Sequence, residues 1–81
     1  MIKFHFHDHP KLGRCCHVYS DRNLDELKAW AQANRIPQEW IQRGGKLPHL
    51  DLWGAKLALC EEPGVGMREL HSDITAWKAT L

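Results

Sequence analysis

The stretch KFHFHDHP, residues 3–10, sets His5, His7 and His9 at every second position with Asp8 among them. Side chains at i and i+2 of a strand point the same way, about 7 Å apart along the backbone, so imidazoles on such a run can converge on one zinc, copper or nickel ion. The same pattern also suits the exposed face of an edge strand, where polar side chains discourage pairing with another chain. A second constellation is spread through the chain: Asp8, His17, His49 and Asp51, with Lys56 beyond. Two carboxylates and two imidazoles could bind Mg²⁺, Mn²⁺ or Zn²⁺ and lower the pKa of a bound water, with Lys56 left to neutralise a phosphate oxygen. That is the chemistry of a small metal-dependent phosphoester hydrolase or nuclease, with the four residues as catalytic candidates and Lys56 as phosphate ligand. Plainer roles compete with it: Asp51 as a helix N-cap, His49 as a partner for loop backbone, Asp8 as a strand end beside a turn.

Other reactive residues offer less. Cys16 precedes His17, but adjacent residues on a strand face opposite ways, so the two do not make a thiolate and its base. Cys16 reads as a small core residue. The three cysteines, Cys15, Cys16 and Cys60, are odd in number and lack a C-x-x-C spacing, which fits reduced thiols better than a disulfide framework or a zinc ribbon. Of the four tryptophans, Trp30 and Trp77 continue helical apolar stripes and belong to the core. Trp40 and Trp53 fall near loops or helix starts, where an exposed ring can anchor a protein partner or stack on a base. With Arg43 and Lys46 they form the candidate partner-binding surface.

The elements that must position these groups can be read from periodicity. Alternation in IKFHFH puts Ile2, Phe4 and Phe6 on one side of a strand and Lys3, His5 and His7 on the other, with Asp8 on the phenylalanine side. Pro10 and Gly13 then interrupt, and CCHVYS is a second strand. In NLDELKAWAQAN, Asn23 can cap a helix with Glu26 three residues later, and Leu24, Leu27, Trp30 and Ala31 share a face; Pro37 ends it. PQEWIQ can add one turn, and RGGKLP is a flexible connection. Asp51 is a plausible cap for a helix carrying Leu52, Ala55 and Leu59, EEPGVG breaks it, and a very short third strand fits near Val65. Met67, Leu70, Ile74, Trp77 and Leu81 recur at helical spacing, a stripe able to pack on the sheet or on a second copy in a homodimer.

The result is a single domain over residues 1–81, of α/β or α+β class, with a two- or three-stranded sheet packed with about three helices. A domain this small buries only about 60% of the surface its unfolded chain exposes. The formal net charge of +1 supplies no general pull toward nucleic acid or anionic lipid, so a polyanion must be held by a local site. No run approaches a membrane span or a signal peptide, and the expected location is cytoplasmic.

GRCCHVYSDRNLDELKAWAQANRIPQEWIQ, followed by HLDLWGAKLAL, resembles a family of small bacterial and phage proteins known as the domain of unknown function DUF4031. Asp8, Gly13, Arg14, Cys16, His17, Asp21, Trp40, Gln42, His49, Asp51, Lys56 and Arg68 to Leu70 stand at the positions that carry the resemblance. Leu50 replaces the usual tyrosine, His9 one of the N-terminal aspartates, and Cys15 an aromatic residue. The resemblance names no reaction. Its phage members imply a module that docks on a larger complex, such as an inhibitor of a host defence assembly. Two functional expectations follow: a non-enzymatic protein-binding domain acting through Trp40, Trp53 and the loop between them, and the metal-dependent hydrolase described above.

Overall fold

A computed structural model of the chain describes residues 1–45 and 47–79. Strand β1 (Ile2–His9) turns through residues 10–12 into β2 (Gly13–Ser20), and Gly13 supplies the left-handed backbone, φ +78°, that such a three-residue hairpin loop needs. His9 Nδ1 accepts the backbone N–H groups of Lys11 and Leu12, both at 3.1 Å, which fastens the turn. Helix α1 (Leu24–Ala33) follows, then a 3-10 turn at Gln38–Trp40, strand β3 (Leu50–Trp53), a 3-10 helix at Gly54–Leu59, and helix α2 (Met67–Ala79). The sheet is antiparallel in the order β1-β2-β3, so β2 is central and the class is α+β.

Alternation along the strands gives the sheet two unlike faces. Phe4, Cys16, Val18, Leu50 and Leu52 form the apolar one and pack under Leu27 and Ala31 of α1, with Ile36 and Ile41 closing the edges. Trp30 meets Phe4 edge to face, with ring centroids 5.9 Å apart. Cys16 is fully buried there as a packing residue; its hydrogen bond with Cys60 and its burial raise its pKa far above the thiol range. Asn23 caps α1 as its position suggests, its Oδ1 accepting the Glu26 N–H at 2.8 Å. The Glu26 carboxylate accepts the Ser20 hydroxyl at 2.6 Å. The helix ends before Pro37: Arg35 adopts φ +58°, and the N–H groups of Arg35 and Ile36 bond to the carbonyls of Gln32 and Ala31.

The second face carries Lys3, His5, His7, Cys15, His17, Tyr19, Asp51 and Trp53. Helix α2 covers one end of it, packing Leu70, Ile74 and Trp77 against Tyr19, Leu47 and Val65. The apolar stripe of α2 is thus seated on the sheet, except for the exposed Met67; Leu81 lies outside the described residues. Two departures from the expected elements concern residues 50–65. Leu50 to Trp53 form the third strand, and Asp51 is therefore a sheet residue instead of a helix cap. Gly54 has φ +63°, a conformation that blocks any helix running through 52–59, and only 3-10 turns follow. Val65 makes no strand but does touch the sheet, its N–H bonding to Phe4 O at 2.7 Å on the outer edge of β1.

A small polar network ties α2 to the sheet. Lys3 Nζ stands 2.8 Å from both Asp73 Oδ2 and Glu69 Oε2, and Tyr19 Oη donates to Asp73 Oδ2 at 2.6 Å. Burial pulls the Lys3 ammonium down, but its carboxylate partners outweigh it and hold the pKa above the ordinary 10.5. Burial and Asp73 push the Tyr19 phenol above 10.0. Both groups keep their protons longer in the fold than in the unfolded chain, so their contribution is complete below about pH 10 and is lost as pH rises beyond it. The melting temperature is expected to fall progressively as pH rises above about 10. Since Tyr19 is the single tyrosine, phenolate absorbance reports it directly and should appear only with unfolding. Titration of the folded protein at the ordinary tyrosine pKa would contradict this.

Candidate metal centre

The hairpin register decides which imidazoles meet. β1 against β2 sets His5 opposite His17 and His7 opposite Cys15; β2 against β3 sets His17 opposite Asp51 and Cys15 opposite Trp53. His17 therefore stands on the central strand with an imidazole on one flank and a carboxylate on the other. His7 stacks on His17 with ring centroids 4.1 Å apart, and His5 and His17 approach Nδ1 to Nδ1 at 3.2 Å. His17 Nε2 lies 3.0 Å from Asp51 Oδ1. Ligand atoms of His7, His17 and Asp51 all fall within 4.8 Å of one another, the one such group among the described residues.

A second layer of contacts orients Asp51. Gln42 Nε2 donates to Asp51 Oδ2 at 2.6 Å, and the Gln42 backbone pairs with His49 on both sides, N to O at 2.8 Å and O to N at 3.2 Å. His49 Nδ1 is 2.8 Å from the Leu47 carbonyl, which can only accept, so Nδ1 carries the proton. Its Nε2 lies 3.7 Å from Asp51 Oδ2. With Oδ2 engaged by Gln42, Oδ1 is left toward His17.

Electrostatics keep the site ready for a cation. Burial is the main cause that lowers the His17 pKa to about 4, helped by the neighbouring imidazoles and opposed by Asp51. His5 is lowered too, by burial and then by His7 and His71. At neutral pH both rings are uncharged and offer lone pairs, the form a metal takes. Two polar atoms here are buried without a hydrogen-bond partner, His7 Nε2 and Asp51 Oδ1; His17 Nε2 is near the latter but not aligned to donate. Each such atom costs about 1–3 kcal/mol, and both belong to the same three-residue group. A cation held by the group would satisfy both together.

The group faces an open pocket of about 670 Å³, with Trp40, Trp53 and Lys56 in its wall. The two indoles are 46% and 48% exposed, and Lys56 Nζ lies 5.9 Å from the Trp40 ring centroid. On the α2 side a smaller cavity of about 190 Å³ is bounded by His17, His49, Tyr19 and Leu70.

The two constellations of the sequence are thus partly merged. His7, from the N-terminal histidines, joins His17 and Asp51 from the distributed set, with His5 and His49 as neighbours. His9 holds the hairpin turn and lines the pocket, outside the three-residue group. Asp8 does not join: it sits on the phenylalanine face, 84% exposed, with Arg14 Nη1 3.9 Å from its carboxylate. Arg43 is exposed in the loop before β3, and Lys46 lies outside the described residues. Gln42 was visible only as one position of the family resemblance; no spacing in the sequence shows that a loop residue nine places away would hold Asp51.

Fold and site together define a small α+β domain that carries a His-His-Asp group at the floor of an open pocket. The chain belongs to the family described as Protein of unknown function (DUF4031), which matches residues 4–76 and so spans the whole site. No curated protein and no solved structure matches it. No helix among the described residues is long and apolar enough to cross a membrane.

Proposed function

We propose that the chain is a metal-dependent phosphoester hydrolase whose ion is held by His7, His17 and Asp51. The observation that carries this reading is the pair of buried, unpartnered ligand atoms, His7 Nε2 and Asp51 Oδ1, grouped with His17 beside a pocket large enough for a substrate. Three protein ligands with remaining positions open to a pocket is the pattern of catalytic sites, whereas structural zinc sites are closed by four. Two imidazoles and a carboxylate suit Zn²⁺ or Mn²⁺ better than Mg²⁺, which prefers oxygen.

A bound divalent ion would supply Lewis acidity and bring the pKa of a coordinated water near 7. The chain's own residues do the rest. Gln42 fixes the Asp51 carboxylate, and Lys56 offers its ammonium to a phosphate oxygen. In hydrolysis the water oxygen forms its bond to phosphorus as the ester P–O bond breaks; the water proton passes to solvent, and the leaving oxygen takes one back. Tag-free protein is expected to hydrolyse a chromogenic phosphoester with Zn²⁺ or Mn²⁺ and to lose that activity with a chelator. His17→Ala and Asp51→Asn should each reduce it by about a hundredfold or more, with Asp8→Asn unchanged. Absence of metal-dependent turnover in the folded wild type would overturn the reading.

Docking on a larger protein is the second reading, supported by the exposure of Trp40 and Trp53. It predicts a complex that survives His17→Ala and is lost when both rings are replaced by alanine.

A further inference from the structure

The pocket wall says more about the substrate than the ligand group does. We propose that the pocket takes one nucleotide unit, its base stacked on Trp40 and Trp53 and its phosphoester directed at Lys56 and the His7, His17 and Asp51 ligand atoms. This rests on the hydrolase reading above and names its substrate class.

Three observations converge. Trp53 lies two residues from Asp51 on β3, so its ring shares the face of the ligand group about 7 Å along the strand. Trp40 reaches the same pocket from the 3-10 turn after α1. Two large indoles half exposed to solvent on one pocket are costly for packing and well suited to a flat aromatic ligand, and stacking of this kind accepts any base. Second, Lys56 Nζ sits 5.9 Å from the Trp40 centroid, so cation and stacking platform adjoin, as base and phosphate do in a nucleotide.

Third, size and charge set the length of the ligand. A volume of about 670 Å³ falls in the range of pockets for single small organic molecules, roughly 300–1,000 Å³. Among the described residues Lys56 is the single lysine or arginine lining the pocket, and the whole chain has a net charge of +1. One lysine and one divalent ion match one phosphate. A duplex or a long strand needs a basic track along many phosphates, and the described pocket wall does not supply one. The shared chemistry is a nucleobase bearing a phosphoester, present both in a free mononucleotide and at the end of a single strand.

Calorimetric titration of tag-free protein, with and without Zn²⁺, tests this using adenosine, adenosine monophosphate, ribose 5-phosphate, inorganic phosphate and a 5′-phosphorylated single-stranded pentanucleotide. The mononucleotide is expected to bind at least about tenfold more tightly than ribose 5-phosphate. Trp40→Ala and Trp53→Ala should each erase most of that preference while leaving Zn²⁺ and inorganic phosphate binding unchanged. Lys56→Gln should weaken the phosphorylated ligands and spare adenosine. Equal affinity for mononucleotide and ribose 5-phosphate, or a preference indifferent to both tryptophans, overturns the proposal even if zinc binds. A tryptophan-dependent base preference in protein that binds no zinc upholds the pocket and defeats the metal-centre reading. Tighter binding of the pentanucleotide assigns the ligand to strand ends, and equal binding assigns it to free nucleotides; both uphold the nucleotide unit.

Discussion

Replacing His17 by alanine should lower the affinity of the protein for Zn²⁺ by at least about a hundredfold, because it removes a proposed direct ligand, where loss of a supporting contact alone typically costs 10- to 100-fold. His17 is the pivot of the group: on the central strand it is opposite both His5 and Asp51, and His7 stacks on it. His7→Ala and Asp51→Ala should follow it. Gln42→Ala should cost less, on the order of tenfold, since Gln42 acts through its 2.6 Å bond to Asp51 Oδ2. Asp8→Ala should change nothing, as Asp8 sits on the other face. His9→Ala separates the two arrangements that the N-terminal histidines allow: a chelate along β1 alone needs His9, whereas a group built across three strands does not.

Stability supplies an independent readout. An ion that binds only the folded state adds RT ln(1 + [L]/Kd), about 2.7 kcal/mol at a hundredfold excess over Kd. For a domain near this size each kcal/mol moves the melting temperature by about 4–8 °C. Zn²⁺ should therefore raise the wild-type melting temperature by roughly 10 °C or more under those conditions and should leave His17→Ala nearly unmoved. Unchanged zinc affinity in a His17→Ala protein that keeps its circular dichroism would remove the three-residue group as the site.

Which of these residues could be read from the chain alone follows from how far each signal travels. Alternation is local, so the face shared by His5 and His7 was legible, as was the placement of Asp8 with the phenylalanines. Partnership across strands is not local. His17 meets Asp51 through a register that depends on where β3 starts, and β3 is only four residues long, embedded in HLDLWGAKLAL, where Leu52, Ala55 and Leu59 also repeat at a helical period. The choice between those periods is made by Gly54, whose left-handed φ ends the strand and admits only 3-10 turns. Reading Asp51 as a cap was the consequence of choosing the helical period. Its carboxylate is a functional candidate under either period, because residue type does not depend on secondary structure even though orientation does. The helices α1 and α2 were legible for the opposite reason: their stripes and the Asn23 cap are contained within the segments themselves, and packing against the sheet confirms the faces they present.

Gly64→Ala should be the most damaging small substitution far from the pocket. The segment after the 3-10 helix passes close along β1, where Val65 N–H bonds to Phe4 O at 2.7 Å. Gly64 makes that approach with φ +77°, and a Cβ there would lie 2.5 Å from Phe4 O and 2.9 Å from Phe6 Cδ2. A left-handed conformation costs a residue with a side chain about 1–2 kcal/mol. The overlap with a backbone carbonyl cannot be relieved by a rotamer change, so the segment must move and weaken the Val65 bond, worth about 0.5–1.5 kcal/mol. The sum, roughly 1.5–3.5 kcal/mol, is a large share of the roughly 4–12 kcal/mol expected for 81 residues. In urea denaturation the midpoint should fall accordingly, while Gly44→Ala, where a Cβ meets nothing within 4 Å, should stay within about 0.5 kcal/mol. Since the atoms nearest a Cβ at Gly64 belong to Phe4 and Phe6, away from the ligand group, the folded fraction of Gly64→Ala should keep wild-type zinc affinity. A destabilised protein that still binds the ion would show that the edge contact supports the sheet without shaping the site. Equal stability of Gly64→Ala and wild type would mean that the segment does not run against β1 in solution.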